Sequence, residues 1–188
     1  VMATFAMSEA LTIILKGKDP SRATEQISLS QLGSIKLDKV ERNKMLKSIP
    51  RSSILGFLIG VLPGAGATIA SFLAYGMERN YVNDEEKQKF GKGSVHGLAA
   101  PETANNAACS GSFVPLLTLG IPGSGTTAVM LGALLGFGIQ PGPRLYMTNP
   151  EIFWSVIMSM YIGMVILLIL NLPLIPYIAR VLATPKNF

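Results

Sequence analysis

The sequence predicts an all-α integral membrane protein, in which transmembrane helices are combined with discontinuous, re-entrant helical hairpins. Three observations carry this. Hydrophobic residues make up 49% of the 188 positions and charged residues only 14%, with a mean hydropathy of +0.42; soluble domains carry about a quarter charged residues. The basic charge collects in one polar stretch instead of spreading over the chain. Two apolar runs are interrupted by similar Pro-Gly clusters, where a helix cannot continue.

Taken in order, residues 1–15 are apolar but fewer than the roughly 20 needed to cross a bilayer. They lack the basic start and small-residue cleavage site of a signal peptide, and a truncated transmembrane helix is expected. Residues 16–53 carry nine Lys/Arg and four Asp/Glu. Positive residues near membrane spans are retained in the cytoplasm, so this is expected to be a cytoplasmic basic loop, with an amphipathic helix over 37–49. Residues 54–143 form the expected transport core. It contains an apolar run over 54–77, broken at Pro63-Gly64-Ala65-Gly66, and a second break at Pro122-Gly123-Ser124-Gly125. Each apolar half of the first run is too short to span, so the run is either one interrupted helix or a hairpin; the hairpin is preferred. Residues 144–188 hold a charge-free run over 152–170 as a C-terminal transmembrane helix. Asn171, Pro173 and Pro176 are expected to kink or end it.

The two breaks share one pattern, apolar-Pro-Gly-small-Gly-small-Thr, over 62–68 and 121–127. Paired interruptions of this kind are the sequence pointer to a transporter's binding site. Bare backbone at membrane depth is tolerated only where it is buried in protein or lines a wet cavity. A helix restarting after a break presents free N–H groups and the positive end of its dipole, which suit a carboxylate. The candidate substrate-binding residues are therefore Pro63, Gly64, Gly66, Thr68 and Ser71 at the first break, and Pro122, Gly123, Ser124, Gly125, Thr126 and Thr127 at the second. Thr68, Ser71 and Tyr75 fall at i, i+3 and i+7, giving one polar face. Hydroxyls at 126 and 127 can also serve as helix caps.

Between the breaks, Glu102, Asn105, Asn106 and Cys109 are spaced i, i+3, i+4 and i+7 on one helical stripe. Pro101 suits a first helical turn, and Glu102 would complement the dipole there. An ionisable residue inside an apolar segment marks function by default. Asn105 and Asn106 join the substrate-binding set, and Glu102, Asn105 and Asn106 are candidates for the coupling ion. No cofactor or metal site is expected: there is one cysteine and one histidine. Residues 64–69 (GAGATI) imitate a dinucleotide fingerprint, but Ile69 replaces its last small residue and no acidic partner follows in a strand context. Neither break ends in the Gly-Lys-Ser/Thr of a P-loop. An enzyme is not expected.

Several long motifs together resemble a known family: residues 60–75 (GVLPGAGATIASFLAY), 90–93 (FGKG), 100–107 (APETANNA), 114–128 (VPLLTLGIPGSGTTA) and 136–143 (GFGIQPGP). They are similar, in order and over essentially the whole chain, to the large permease subunit of bacterial tripartite tricarboxylate transporters, the TctA family. Family permeases are longer and carry related Pro-Gly breaks in their other half, so the resemblance implies a piece of the C-terminal half, one repeat of an inverted-repeat transporter. It also implies a multi-pass protein of the bacterial inner membrane. The implied function is secondary active uptake of citrate-like tricarboxylates or other organic carboxylates, driven by H⁺ or Na⁺. The implied partners are a periplasmic solute-binding protein and a small membrane subunit; no nucleic acid is involved. One departure is His96, where the family pattern usually carries an acidic residue. A channel or a non-transporting membrane scaffold with the same broken helices is the alternative.

Overall fold

The computed structural model describes Met7, Ser8, Leu11 and residues 38–182, with backbone only at 176 and 179–182. All but Met7, Ser8 and Leu11 of the expected helix over 1–15, and most of the basic segment 16–53, lie outside the described residues. Those described are helical, with no strand among them.

Helix α1 (Lys39–Val61) starts at a capping box: Asp38 caps the first turn and Glu41 reaches back to the Asp38 amide. It runs through Pro50 and past position 53, so the charged segment and the first apolar half are one 23-residue helix. The boundary read from charge does not coincide with an end of secondary structure. Leu62, extended before Pro63, ends the helix. Helix α2 (Gly66–Tyr81) follows the break, then the single turn α3 (Asp84–Lys87). Ser94 caps α4 (Val95–Gly111) by accepting from the Gly97 amide at 3.1 Å.

The first break is a hairpin. Arg51 on α1 and Glu78 on α2 are joined by a 2.7 Å ion pair, although one continuous helix would set them about 40 Å apart at roughly 1.5 Å per residue. Helix α4 then returns parallel to α1. A Cβ built on Gly56 would strike the backbone of Ala104, and one on Gly60 that of Ala108, with the Cα atoms at 2.6 Å in both cases. This register repeats every four residues on both helices.

The core of α1, α2 and α4 is made of small side chains: Ser48, Ser52, Gly56 and Gly60; Ala70 and Ala74; Ala100, Ala104 and Ala108. Within these three helices most large apolar residues lie outside, with Phe72 75% exposed. This inverts the order of a soluble protein and matches the small-residue packing of helices in lipid.

Helix α5 (Phe113–Leu119) ends at Gly120, in the left-handed region. The second break leads into α6 (Gly125–Gly136). The chain beyond α6 folds back, and the Gly142 amide donates to the Leu117 carbonyl at 3.3 Å. After the short α7 (Leu145–Thr148), α8 (Pro150–Leu182) opens with proline at its first position. It passes through Asn171, Pro173 and Pro176 without ending. Its stretch Pro150–Ile175 is 26 residues long. It is the one clear apolar span among the described residues.

Candidate functional site

The two breaks, 59 positions apart in the pattern of 62–68 and 121–127, border a single cavity of about 500 Å³. Gly64, Gly66, Ala67 and Thr68 line it from the first break. Residues 122–127 line it from the second, and Cys109, Ser112 and Phe113 from the α4–α5 junction. None of these side chains is charged. Of the sequence-predicted residues, the structure brings together Gly64, Gly66, Thr68, Pro122, Gly123, Ser124, Gly125, Thr126 and Thr127.

The tips are built differently. At the first, Gly64 and Gly66 take φ of +82° and +69°, a conformation that only glycine adopts freely. Ala65 precedes α2 and supplies no side-chain cap, so no side chain covers the first amides of α2. At the second, Ser124 caps α6. Its hydroxyl accepts from the Thr127 amide at 3.3 Å, and Thr127 Oγ1 accepts from the Ser124 amide at 2.8 Å. Thr127 is only 2% exposed, so its hydroxyl is committed to the cap. Thr126, beside it, is exposed. Gly123 is needed for closeness: a Cβ there would lie 3.0 Å from Ser112 Cβ and 3.3 Å from the Gly60 carbonyl oxygen. That contact seats the second tip against the ends of α1 and α4.

Other predicted residues do not line the cavity. Pro63 is exposed at the hairpin turn. The Ser71 hydroxyl lies 3.0 Å from the Ala67 carbonyl and 3.1 Å from that of Pro101, tying α2 to α4. Tyr75 packs edge-on against Phe90 at 5.1 Å. The expected polar face of α2 thus divides into one cavity residue and two packing residues.

The stripe Glu102, Asn105, Asn106 and Cys109 lies on α4 opposite its buried alanines. Only Cys109 reaches the cavity. Its thiol donates weakly to Asn105 Oδ1 at 3.9 Å, and the Asn106 amide donates to the Glu102 carbonyl at 2.9 Å. Pro101 sits inside α4 and not in its first turn, and Ser94 provides the cap. Glu102 therefore does not complement that helix start. Ala67, Ser112 and Phe113 were not expected. The signal for the last two was their place just ahead of the second break, where α4 must end against it.

The chain matches the family described as "Tripartite tricarboxylate transporter TctA family" over residues 1–188. It is 41% identical over 160 residues to an "Uncharacterized 52.8 kDa protein in TAR-I ttuC' 3'region" of Agrobacterium vitis, covering 85% of this chain and 32% of that protein. It is 48% identical over 130 residues to an "Uncharacterized protein in TAR-II ttuC' 3'region" of the same organism, covering 69% and 53%. The chain thus spans about a third and about half the length of these curated relatives. No solved structure matches it. With the family pattern running from the first residue to the last, through both breaks that frame the cavity, this chain belongs to the tripartite tricarboxylate transporter TctA family.

Proposed function

We propose that this chain supplies one side of the substrate site in the permease subunit of a binding-protein-dependent secondary transporter, which takes up tricarboxylates or related organic carboxylates on an H⁺ or Na⁺ gradient. The observation that carries this reading is the convergence of both Pro-Gly breaks on one cavity. A volume near 500 Å³ lies within the range of small-molecule sites. Its hydroxyls and glycine backbone can donate hydrogen bonds to carboxylate oxygens. The α2 amides, which no side chain caps, add the positive end of a helix dipole. An uncharged lining suits a transporter, because an anion held by fixed cations would be slow to leave. The family pattern supports the partners: a periplasmic solute-binding protein that delivers the carboxylate, and a small membrane subunit. In this reading the protein crosses the bacterial inner membrane several times, as one member of an inverted pair of repeats. Alternating access would expose the cavity to each side in turn.

The test is uptake of a panel of labelled carboxylates by vesicles holding the full-length protein and its partners, with the H⁺ and Na⁺ gradients collapsed in turn. Accumulation above the outside concentration, abolished with one gradient, is expected. Equilibration without accumulation would indicate a channel and overturn the reading.

A further inference from the structure

At the far end of the three-helix core from the cavity lies a buried cluster that the substrate site does not use. Glu78 on α2 is 0% exposed and accepts from two other helices. Arg51 of α1 donates through Nη2 to Oε1 at 2.7 Å and through Nε to Oε2 at 3.3 Å. His96 of α4 places Nδ1 2.8 Å from the same Oε1, and His96 is 7% exposed. The Arg51 guanidinium also rests over the Tyr81 ring at 5.0 Å.

We propose that this cluster is a proton-binding site, with His96 as the base and Glu78 and Arg51 setting its affinity; its link to uptake rests on the carboxylate-transport reading above. An ionised carboxylate only accepts hydrogen bonds, so Nδ1 carries a hydrogen, which leaves Nε2 as the position where the ring gains or loses a proton. Taking a proton on Nε2 moves the cluster from net zero to +1 without breaking the Nδ1–Oε1 bond. Histidine is the side chain whose charge ordinarily changes between pH 5 and 8. The glutamate is satisfied by Arg51 alone, so the imidazole is not needed to neutralise it.

A sodium ion fits poorly, because both carboxylate oxygens are occupied and sodium would have to displace the guanidinium. No group of three His, Cys, Asp or Glu able to hold a metal occurs among the described residues. In the register that sets Gly56 against Ala104 and Gly60 against Ala108, Ser48 stands level with His96; its buried hydroxyl, like that of Ser52 one turn on, has no hydrogen-bond partner.

Of the other charged groups at this end, Lys44 and Lys89 both bind Glu86 Oε1 at 2.8 Å, Arg42, Lys47, Arg79, Asp84, Glu85 and Lys92 are exposed, and Lys87 is half-buried. Among the described residues Glu78 is the charged group bonded to the imidazole, and Arg51 shares its Oε1. The three helices that meet here also frame the cavity, about 15–20 Å away at roughly 1.5 Å per residue. A changed balance among Arg51, Glu78 and His96 can thus be carried along rigid helices to the substrate.

The experiment has two arms on the full-length protein. In the first, the ¹³Cε1 NMR signal of His96, assigned by its loss in His96→Gln, is followed from pH 5 to 8.5. The signal should titrate. Its midpoint should fall by at least one pH unit in Glu78→Gln, where the anion is gone, and rise in Arg51→Gln, where the competing cation is gone. A signal that does not titrate, or a midpoint unmoved in whichever of the two variants folds, overturns the site. In the second arm, vesicles with the partner subunits are given a pH gradient without Na⁺. His96→Gln should exchange labelled citrate at the wild-type rate but accumulate it at least tenfold less. Wild-type accumulation in His96→Gln overturns the coupling role. If citrate moves in neither exchange nor accumulation with the wild-type protein, the transport reading falls, while the NMR arm still decides the proton site.

Discussion

The two Pro-Gly breaks look alike in sequence, yet they are built to different ends. The first turns a hairpin between α1 and α2, and its glycines are required by backbone angle: a Cβ on Gly64 would meet nothing within 4 Å, but φ is +82°. The second sits on a surface already made by the ends of α1 and α4, and Gly123 is required by lack of space. The first leaves its helix start uncapped by side chains, whereas the second closes its own with Ser124 and Thr127. A repeated motif therefore does not imply a repeated role. The first tip has the donors to spare for a ligand, and the second completes the wall opposite.

Substitutions should separate the two. The largest effect is expected from Gly123→Val, which drives a branched side chain into Ser112 and the Gly60 carbonyl. Uptake should fall at least tenfold and thermal stability should drop, by roughly 1–3 kcal/mol for an overpacked contact. Gly64→Val meets only the cost of a left-handed residue, about 1–2 kcal/mol. Gly64→Asn should recover most of that loss, because asparagine tolerates this conformation, while Gly123→Asn should recover nothing. Equal rescue at both positions, read by uptake and thermal midpoint, would erase the distinction.

A smaller pair of effects sharpens it. Ser124→Ala should cost about 1 kcal/mol of stability through the lost cap, with a modest change in substrate affinity. Thr68→Val should do the reverse, raising the substrate KM severalfold at unchanged stability. The smallest effect lies away from both tips. Hydrogen bonds from Lys44 and then Lys89 lower the Glu86 carboxyl from its ordinary 4.5 to about 2, and Lys89 is raised in return. The stabilisation from a depressed carboxyl is present above its ordinary range and is lost as pH falls from about 4.5 toward about 2. Glu86→Gln should therefore lower the thermal midpoint slightly at neutral pH, and the difference should vanish near pH 2.

Much of this was legible in the chain. Composition sufficed for an all-helical protein, and Pro-Gly clusters for the breaks, because proline and glycine act on the backbone locally. Helix ends were less legible. Proline at 173 and 176 interrupts a helix in water, but α8 continues through these positions. Backbone in an apolar setting has no water to bond and keeps its remaining helical bonds. Cap roles were half visible: the Ser124–Thr127 box is local, but its use of the Thr127 hydroxyl removes a residue that had looked available. The polar stripe of α4 was correct as a stripe and silent about direction, since one helix does not say which face meets the cavity. The Arg51–Glu78 pair was hidden in the same way. The two stand equally far from the break, 12 positions before Pro63 and 12 after Gly66, which becomes informative only once the hairpin is accepted.

The central claim is that a carboxylate occupies the cavity between the two tips. Cys109 lines that cavity and is exposed, so its reactivity reports directly on occupancy. The rate of maleimide labelling at Cys109, taken as the difference between the full-length protein and its Cys109→Ser variant, should fall severalfold when a transported carboxylate saturates the site. It should be unchanged by a carboxylate that is not transported. A labelling rate indifferent to saturating transported substrate would contradict the placement of the site between the breaks.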